Sequence, residues 1–229
     1  LALHPNEKVT EGLDGLRDRL HEYFTLGARF AKWRAVIAID DSIPTNACIS
    51  TNAHALARYA ALCQEAGIVP IVEPEVLMDG THTIETCHSV SENIFHQVFK
   101  ELEIQEIYLE GMVLKPNMVV SGKDCGEQAG VEEVADRTVE CLKATVPPEV
   151  PGCAFLSGGQ SNEDATAHLN MMNAKHGDSL EWNLTFSYGR ALQASALIAW
   201  GGKDKNISAA QEAFYQRAKL NSMATVGSY

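Results

Sequence analysis

Short apolar runs that end in polar or charged residues recur along this chain, at intervals of roughly 40 residues, with helix-period segments between them. The runs are Arg29 to Ile39, Ile68 to Val72 (closing on Glu73-Pro74-Glu75), Ile107 to Leu114 (delivering Lys115), Cys153 to Leu156 and Leu184 to Ser187. The last two run into Ser157-Gly158-Gly159-Gln160 and Tyr188-Gly189-Arg190. Helices are predicted over Gly12 to Leu26, with Leu13, Leu16, Leu20 and Phe24 on one face, and over Asn52 to Glu65. Others are expected along Cys87, Val90, Ile94, Val98 and Leu102, over Val131 to Ala144, from about Ser161, from Arg190 to Trp200, and over Ile207 to Ala224. Ser161 and Asp164 have capping-box spacing, Pro147-Pro148 ends one helix, and Gly201-Gly202 ends another.

Strand and helix alternating in this way is the pattern of parallel β/α units, whose sheet must be covered on both faces. An open, doubly wound sheet gathers its ligand groups at one switch point, whereas here nearly every strand end carries polar groups. That distribution predicts an α/β fold of the (β/α)8 TIM barrel type, whose site draws on the C-terminal ends of many strands. About five units are visible and three are short, so residues 1–229 are expected to be a single partial barrel domain, the C-terminal part of a longer one. Left open, the edges of such a piece invite aggregation, and the chain expressed alone is expected to be insoluble or molten and inactive.

Composition narrows the function. A net charge of −12 argues against non-specific binding to nucleic acid or anionic lipid, so an anionic ligand requires cations gathered locally. Six cysteines without a CxxC pair fit reduced thiols better than a disulfide frame or a zinc site, and eight histidines without ligand spacing, including His168 and His176, read as solvated or structural. No metal site, transmembrane stretch or leader is expected, although the first residue is Leu and the true start is open.

The charged strand ends carry the chemistry. Proline after Lys115 holds that lysine extended at a strand end, where burial of an unpaired ammonium would cost several kcal/mol. Period 2 places Lys32 and Arg34 on one face of their strand and Trp33, read as core, on the other. Glu73 and Glu75 share a face with one proline between them. Glycines at Gly158 and Gly159 let backbone approach an anion, and Arg190 offers a bidentate clamp. Taken singly, each has a plainer reading: a surface lysine, a polar loop, a turn.

Taken together, the strand ends resemble class I fructose-bisphosphate aldolase, the Schiff-base, metal-independent family. The matching stretches are GLDGL (Gly12 to Leu16), GARFAKWR (Gly27 to Arg34), LARYA (Leu56 to Ala60), GIVPIVEPE (Gly67 to Glu75), YLEG with LKPNMV (Tyr108 to Val119), VPP (Val146 to Pro148), FLSGGQS (Phe155 to Ser161), LTFSYGRALQASAL (Leu184 to Leu197) and WGGK (Trp200 to Lys203). The chain departs from the family's pattern at Leu3-His4-Pro5, at Val120-Ser121 and across Asp40 to Asn52. The family's first three strands, with an acidic residue on the first and a lysine on the third, and its C-terminal tail with a terminal tyrosine are absent; Tyr229 falls before that tail.

The resemblance implies that Lys115 forms the imine, that Glu73 shuttles protons and Glu75 positions the lysines, and that Lys32 stabilises the developing alkoxide. It implies phosphate binding by Arg34, Ser157, Gly158, Gly159, Ser187, Gly189 and Arg190. The reaction is then reversible cleavage of fructose bisphosphate into dihydroxyacetone phosphate and glyceraldehyde phosphate, in glycolysis and gluconeogenesis, without cofactor. A cytoplasmic homotetramer is implied, with a plastid home open. Another Schiff-base barrel aldolase of transaldolase type, and a non-catalytic protein that binds cytoskeletal filaments, are the alternatives.

Overall fold

The computed structural model describes residues 1–229. Five strands make one parallel sheet: β1 (Phe30–Ile37), β2 (Val69–Val76), β3 (Val113–Leu114), β4 (Gly152–Phe155) and β5 (Asn183–Phe186). They lie side by side in sequence order, β1-β2-β3-β4-β5. A doubly wound sheet reverses its order at a switch point; unbroken order, with right-handed crossovers, carries the connecting helices along one face. The fold is α/β and the sheet is an arc of a barrel, as expected.

Seven α-helices accompany it: α1 (Leu16–Thr25), α2 (Asn46–Glu65), α3 (Ile84–Ile104), α4 (Val131–Thr145), α5 (Asn162–His176), α6 (Arg190–Trp200) and α7 (Ile207–Ala224). From α2 onward each touches the next up to α6, and α7 closes on α5 and α6. Register puts Trp33 beside Val72 and Val72 beside Leu114, all turned to the helices, where they join one core with Leu56, Ile94 and Leu142. Each such side chain contributes about 1.5–3 kcal/mol by leaving water. Trp33 is core, as read, with its ring 5.5 Å from that of Tyr59.

Several element boundaries differ from the sequence reading. The run Ile107 to Leu114 is not one strand: Leu109–Gly111 is a 3-10 turn, and only Val113 and Leu114 pair with β2. Gln64 explains this, because its side-chain amide accepts from the Tyr108 N–H at 3.0 Å and donates to the Tyr108 carbonyl at 2.7 Å. Backbone groups satisfied from a helix need no strand partner. Helix α2 starts six residues before the predicted Asn52, capped by Thr45, whose hydroxyl accepts from the Cys48 N–H. That cap is itself held by buried Glu7, 38 residues earlier, which accepts from both the N–H and the hydroxyl of Thr45 at 2.6 Å. Phe24 is exposed, with Arg29 stacked on its ring at 4.2 Å.

Strand β2 continues past Val72 to Val76, so Glu73-Pro74-Glu75 lies within the sheet. Proline is tolerated there for a definable reason. The Val76 N–H points to the β3 side, and period 2 turns the Pro74 nitrogen the same way, where pairing with β3 has already ended at Val72. No helix of the chain is long and apolar enough to cross a membrane.

Candidate active site

The face of the sheet opposite the helices is where the charges meet. Lys32 and Arg34 project from β1, Glu73 and Glu75 from β2, and Lys115 from the residue after β3, whose N–H still donates to the Val72 carbonyl at 2.8 Å. Glu73 holds both lysines: Lys32 Nζ donates to Oε2 at 2.5 Å, and Lys115 Nζ lies 3.1 Å from Oε1. Glu73 and Lys115 are buried, while the Lys32 side chain is 41% exposed. A buried ammonium beside a buried carboxylate is compensated, and loss of Glu73 would leave Lys115 an unmatched buried charge costing several kcal/mol, whereas loss of Lys115 leaves Glu73 paired with Lys32.

Glu75 is engaged elsewhere. Its Oε2 accepts from Arg34 Nε at 2.5 Å, which holds the arginine charged and raises its pKa above the ordinary value. Glu75 thus pairs with Arg34 and Glu73 with the two lysines. Both ion pairs are diagonal: Lys32 stands opposite Ile71 and Arg34 opposite Glu73, and each cation leans two residues toward the C-terminal end of β2. Three cations face two carboxylates on this surface, so it is locally positive in a chain of net charge −12.

Lys115 is fixed by a residue whose role was not visible in the sequence. Asn117, buried two residues on, accepts from the Val76 N–H at 3.0 Å through its side-chain oxygen and donates to Ser91 Oγ on α3 at 3.0 Å. It takes the place of a missing strand partner at the end of β2 and anchors the lysine's segment between sheet and helix.

The glycine turn and the arginine come together across β4 and β5. Ser187 donates its N–H to the Phe155 carbonyl at 2.8 Å, extending the β4–β5 pairing to the two loops. Gly158 and Gly159 have φ of 60° and 97°, in the left-handed region. A Cβ on Gly159 would lie 3.3 Å from Arg190 Nη2 and 3.4 Å from Met78 Sδ, so the turn passes close under both side chains, and it is the positive φ that calls for glycine. Ser157 is buried, Gly189 and Arg190 are exposed at the start of α6, and the expected Ser161 cap holds, accepting from the Asp164 N–H at 3.0 Å. Gln160 ties this turn to the lysine's loop by donating to Met118 Sδ at 3.6 Å.

Gln160 also meets His168, which the sequence left as structural: the side-chain oxygen of Gln160 lies 2.6 Å from Nδ1, so the ring donates there. Burial holds this imidazole neutral, its pKa pulled down to about 4. The folded state therefore binds fewer protons than the unfolded chain between about pH 6.5 and 4, and stability is complete above that window and lost as pH falls through it. Roughly 2 to 3 kcal/mol should disappear between pH 7 and 4.5 through this group. Urea unfolding of wild type and His168→Gln at both pH values checks it; an identical loss in the two proteins would contradict the assignment.

Five of the six free cysteines are buried, with burial raising the Cys153 thiol to about 12. No three His, Cys, Asp or Glu side chains gather in an arrangement that could hold a metal ion.

Fold and site together define a β/α-barrel protein with a lysine–carboxylate centre at its strand ends and a glycine–arginine turn beside it. The sequence model of the family "Fructose-bisphosphate aldolase class-I" matches residues 1–229. A protein of Xanthomonas axonopodis pv. citri named "Probable fructose-bisphosphate aldolase class 1" is 58% identical over 231 residues, covering 100% of this chain and 68% of the relative. "Fructose-bisphosphate aldolase 4, cytosolic" of Arabidopsis thaliana is 54% identical, covering 100% and 58%. Among solved structures, the fructose-bisphosphate aldolase of Plasmodium falciparum, crystallised with TRAP and a small-molecule inhibitor, superposes with a TM-score of 0.97 at 50% identity, covering 100% of this chain and 66% of that one. The chain belongs to the class I fructose-bisphosphate aldolase family, a family of lyases. It spans about two thirds or less of the length of these relatives.

Proposed function

We propose that this chain carries the Schiff-base centre and a phosphate site of an enzyme that reversibly cleaves fructose bisphosphate into dihydroxyacetone phosphate and glyceraldehyde phosphate. The observation that carries the reading is the Glu73 carboxylate shared by Lys115 and Lys32. Transfer of a proton from Lys115 to Glu73 across 3.1 Å makes the nucleophile and the acid in one step. The neutral amine bonds to the ketose carbonyl carbon, and Glu73 protonates the carbinolamine oxygen, which leaves as water. The resulting iminium accepts the electron pair of the C3–C4 bond as Glu73, a carboxylate again, takes the C4 hydroxyl proton it then returns at C3, and the aldehyde departs. Protonation at C3 and hydrolysis of the imine release the second triose phosphate and restore the amine. Lys32 stabilises negative charge on oxygen during these steps.

Ser157, Gly158, Gly159, Ser187, Gly189 and Arg190 bind a phosphate through N–H groups, a helix start and a guanidinium, and Arg34, released from Glu75, binds the distal one. The substrate is a phosphorylated sugar, the assembly is a homotetramer of single-barrel subunits, and the compartment is the cytoplasm, in keeping with the cytosolic relative. A binding role with a cytoskeletal or other protein partner is a second reading, favoured by the Plasmodium relative's complex with TRAP. The catalytic reading is tested by assaying fructose bisphosphate cleavage in the full-length protein after exhaustive chelation. Undiminished turnover is expected, because the iminium on Lys115 itself accepts the electron pair that a metal would otherwise have to stabilise. Activity lost on chelation and restored by zinc would sink the class I mechanism.

A further inference from the structure

Arg217, on α7, is 6% exposed and has no carboxylate partner, although a buried guanidinium ordinarily requires one. Its contacts are neutral acceptors on two other helices. Nε donates to the Ala191 carbonyl at 3.0 Å, and Nη2 donates to the Asn162 carbonyl at 2.7 Å and to Thr166 Oγ1 at 2.6 Å. Asn162 is the first residue of α5, immediately after the turn that contains Gly158 and Gly159. Ala191 follows Arg190 at the start of α6. One planar group therefore grips the main chain beside each of the two loops.

Two further contacts tie α5 to α6 and its entry, one reaching mid-helix at Ser195 and one coming from Tyr188, two residues before the helix begins. The Asn162 side chain donates to Ser195 Oγ at 3.0 Å, and the Tyr188 hydroxyl donates to the Ala165 carbonyl at 2.7 Å. Thr166 also donates to Asn221 on α7 at 2.7 Å, and both residues are fully buried. Tight fastening at this point has a local reason: Arg190 already lies within van der Waals range of the position a Gly159 side chain would take, so a small shift of α6 against α5 alters the gap between guanidinium and glycine turn. We propose that Arg217 is a positioning residue for phosphate recognition, setting the separation of Arg190 from Gly158 and Gly159 by holding the first turns of α5 and α6. Only arginine's fork reaches both carbonyls at once; lysine is a point donor and reaches one.

This inference rests on the phosphate site of the preceding section, and the experiment separates the two. The full-length protein is treated with borohydride in the presence of dihydroxyacetone phosphate or of unphosphorylated dihydroxyacetone, and the concentration giving half-maximal trapping is measured for wild type, Arg190→Ala, Arg217→Lys and Arg217→Met. For Arg217→Met the value for the phosphorylated ketone should rise about tenfold, comparable with loss of one charged hydrogen bond, with the unphosphorylated ketone unchanged and Arg217→Lys intermediate. Equal weakening of both ketones, or no weakening, in the Arg217 variants while Arg190→Ala is selective overturns the positioning role alone. Absence of selectivity in Arg190→Ala overturns the phosphate site itself. If Arg217→Met shows no cooperative thermal transition, Arg217→Lys decides by the same criterion.

Discussion

Borohydride added to the full-length protein with dihydroxyacetone phosphate is expected to leave the reduced triose on Lys115 and to abolish turnover, and Lys115→Met is expected to lower cleavage to background with no adduct formed. Only an imine is reduced in this way, and Lys115 is the one lysine of the centre that is buried, with Glu73 in reach to take its proton. Removal of a covalent nucleophile removes the reaction path itself, so the loss exceeds that of any supporting contact. Methionine keeps the apolar stem and volume, and its cost to folding is moderated because Glu73 retains Lys32. Peptide mapping of the reduced protein identifies the site. Label on Lys32, with Lys115 unmodified, would falsify the assignment of the nucleophile.

Glu73→Gln should lower kcat by about 10²- to 10⁴-fold, the range for loss of a positioned general acid–base group. The amide has the same shape but cannot carry the proton between Lys115 and the carbinolamine oxygen, and its NH2 group must face an ammonium on one side or the other. Glu75→Gln provides the contrast, since its carboxylate meets Arg34 and not the lysines, and its kcat should fall less. The partition also predicts where each loss appears: slower adduct formation in single-turnover trapping for Glu73→Gln, and altered KM for Glu75→Gln through a freed Arg34. Equal kcat losses in the two variants would remove the distinction between the carboxylates.

Much of this was legible in the sequence because period and charge coincide. The alternation Lys32, Trp33, Arg34 put two cations and a core indole on opposite faces, as the structure has them. Proline after Lys115 fixed an extended strand end, and the capping pair Ser161 and Asp164 marked the start of α5. What could not be read depended on partners distant in the chain. β3 shrinks to two residues because Gln64, on α2, takes the hydrogen bonds of Tyr108, and α2 begins early because Glu7 braces its cap. Asn117 lies in the LKPNMV stretch, but nothing local shows that its amide substitutes for a strand partner. Arg217 carried no signal at all, since its acceptors are main-chain carbonyls, which every sequence has.

The diagonal pairing of β1 with β2 has a consequence for assembly of the sheet. If β1 slid by one residue, Trp33 would leave the core and Lys32 and Arg34 would turn toward the helices. If it slid by two in either direction, the faces would be right, but one cation would lose its carboxylate, since only Glu73 and Glu75 are available on that face of β2. The residues that serve the chemistry therefore also act as a vernier: two marks on one strand coincide with two on the next at a single setting. A chain lacking one of these marks has two near-equivalent settings to choose between, and its folding should become heterogeneous before its folded state is lost.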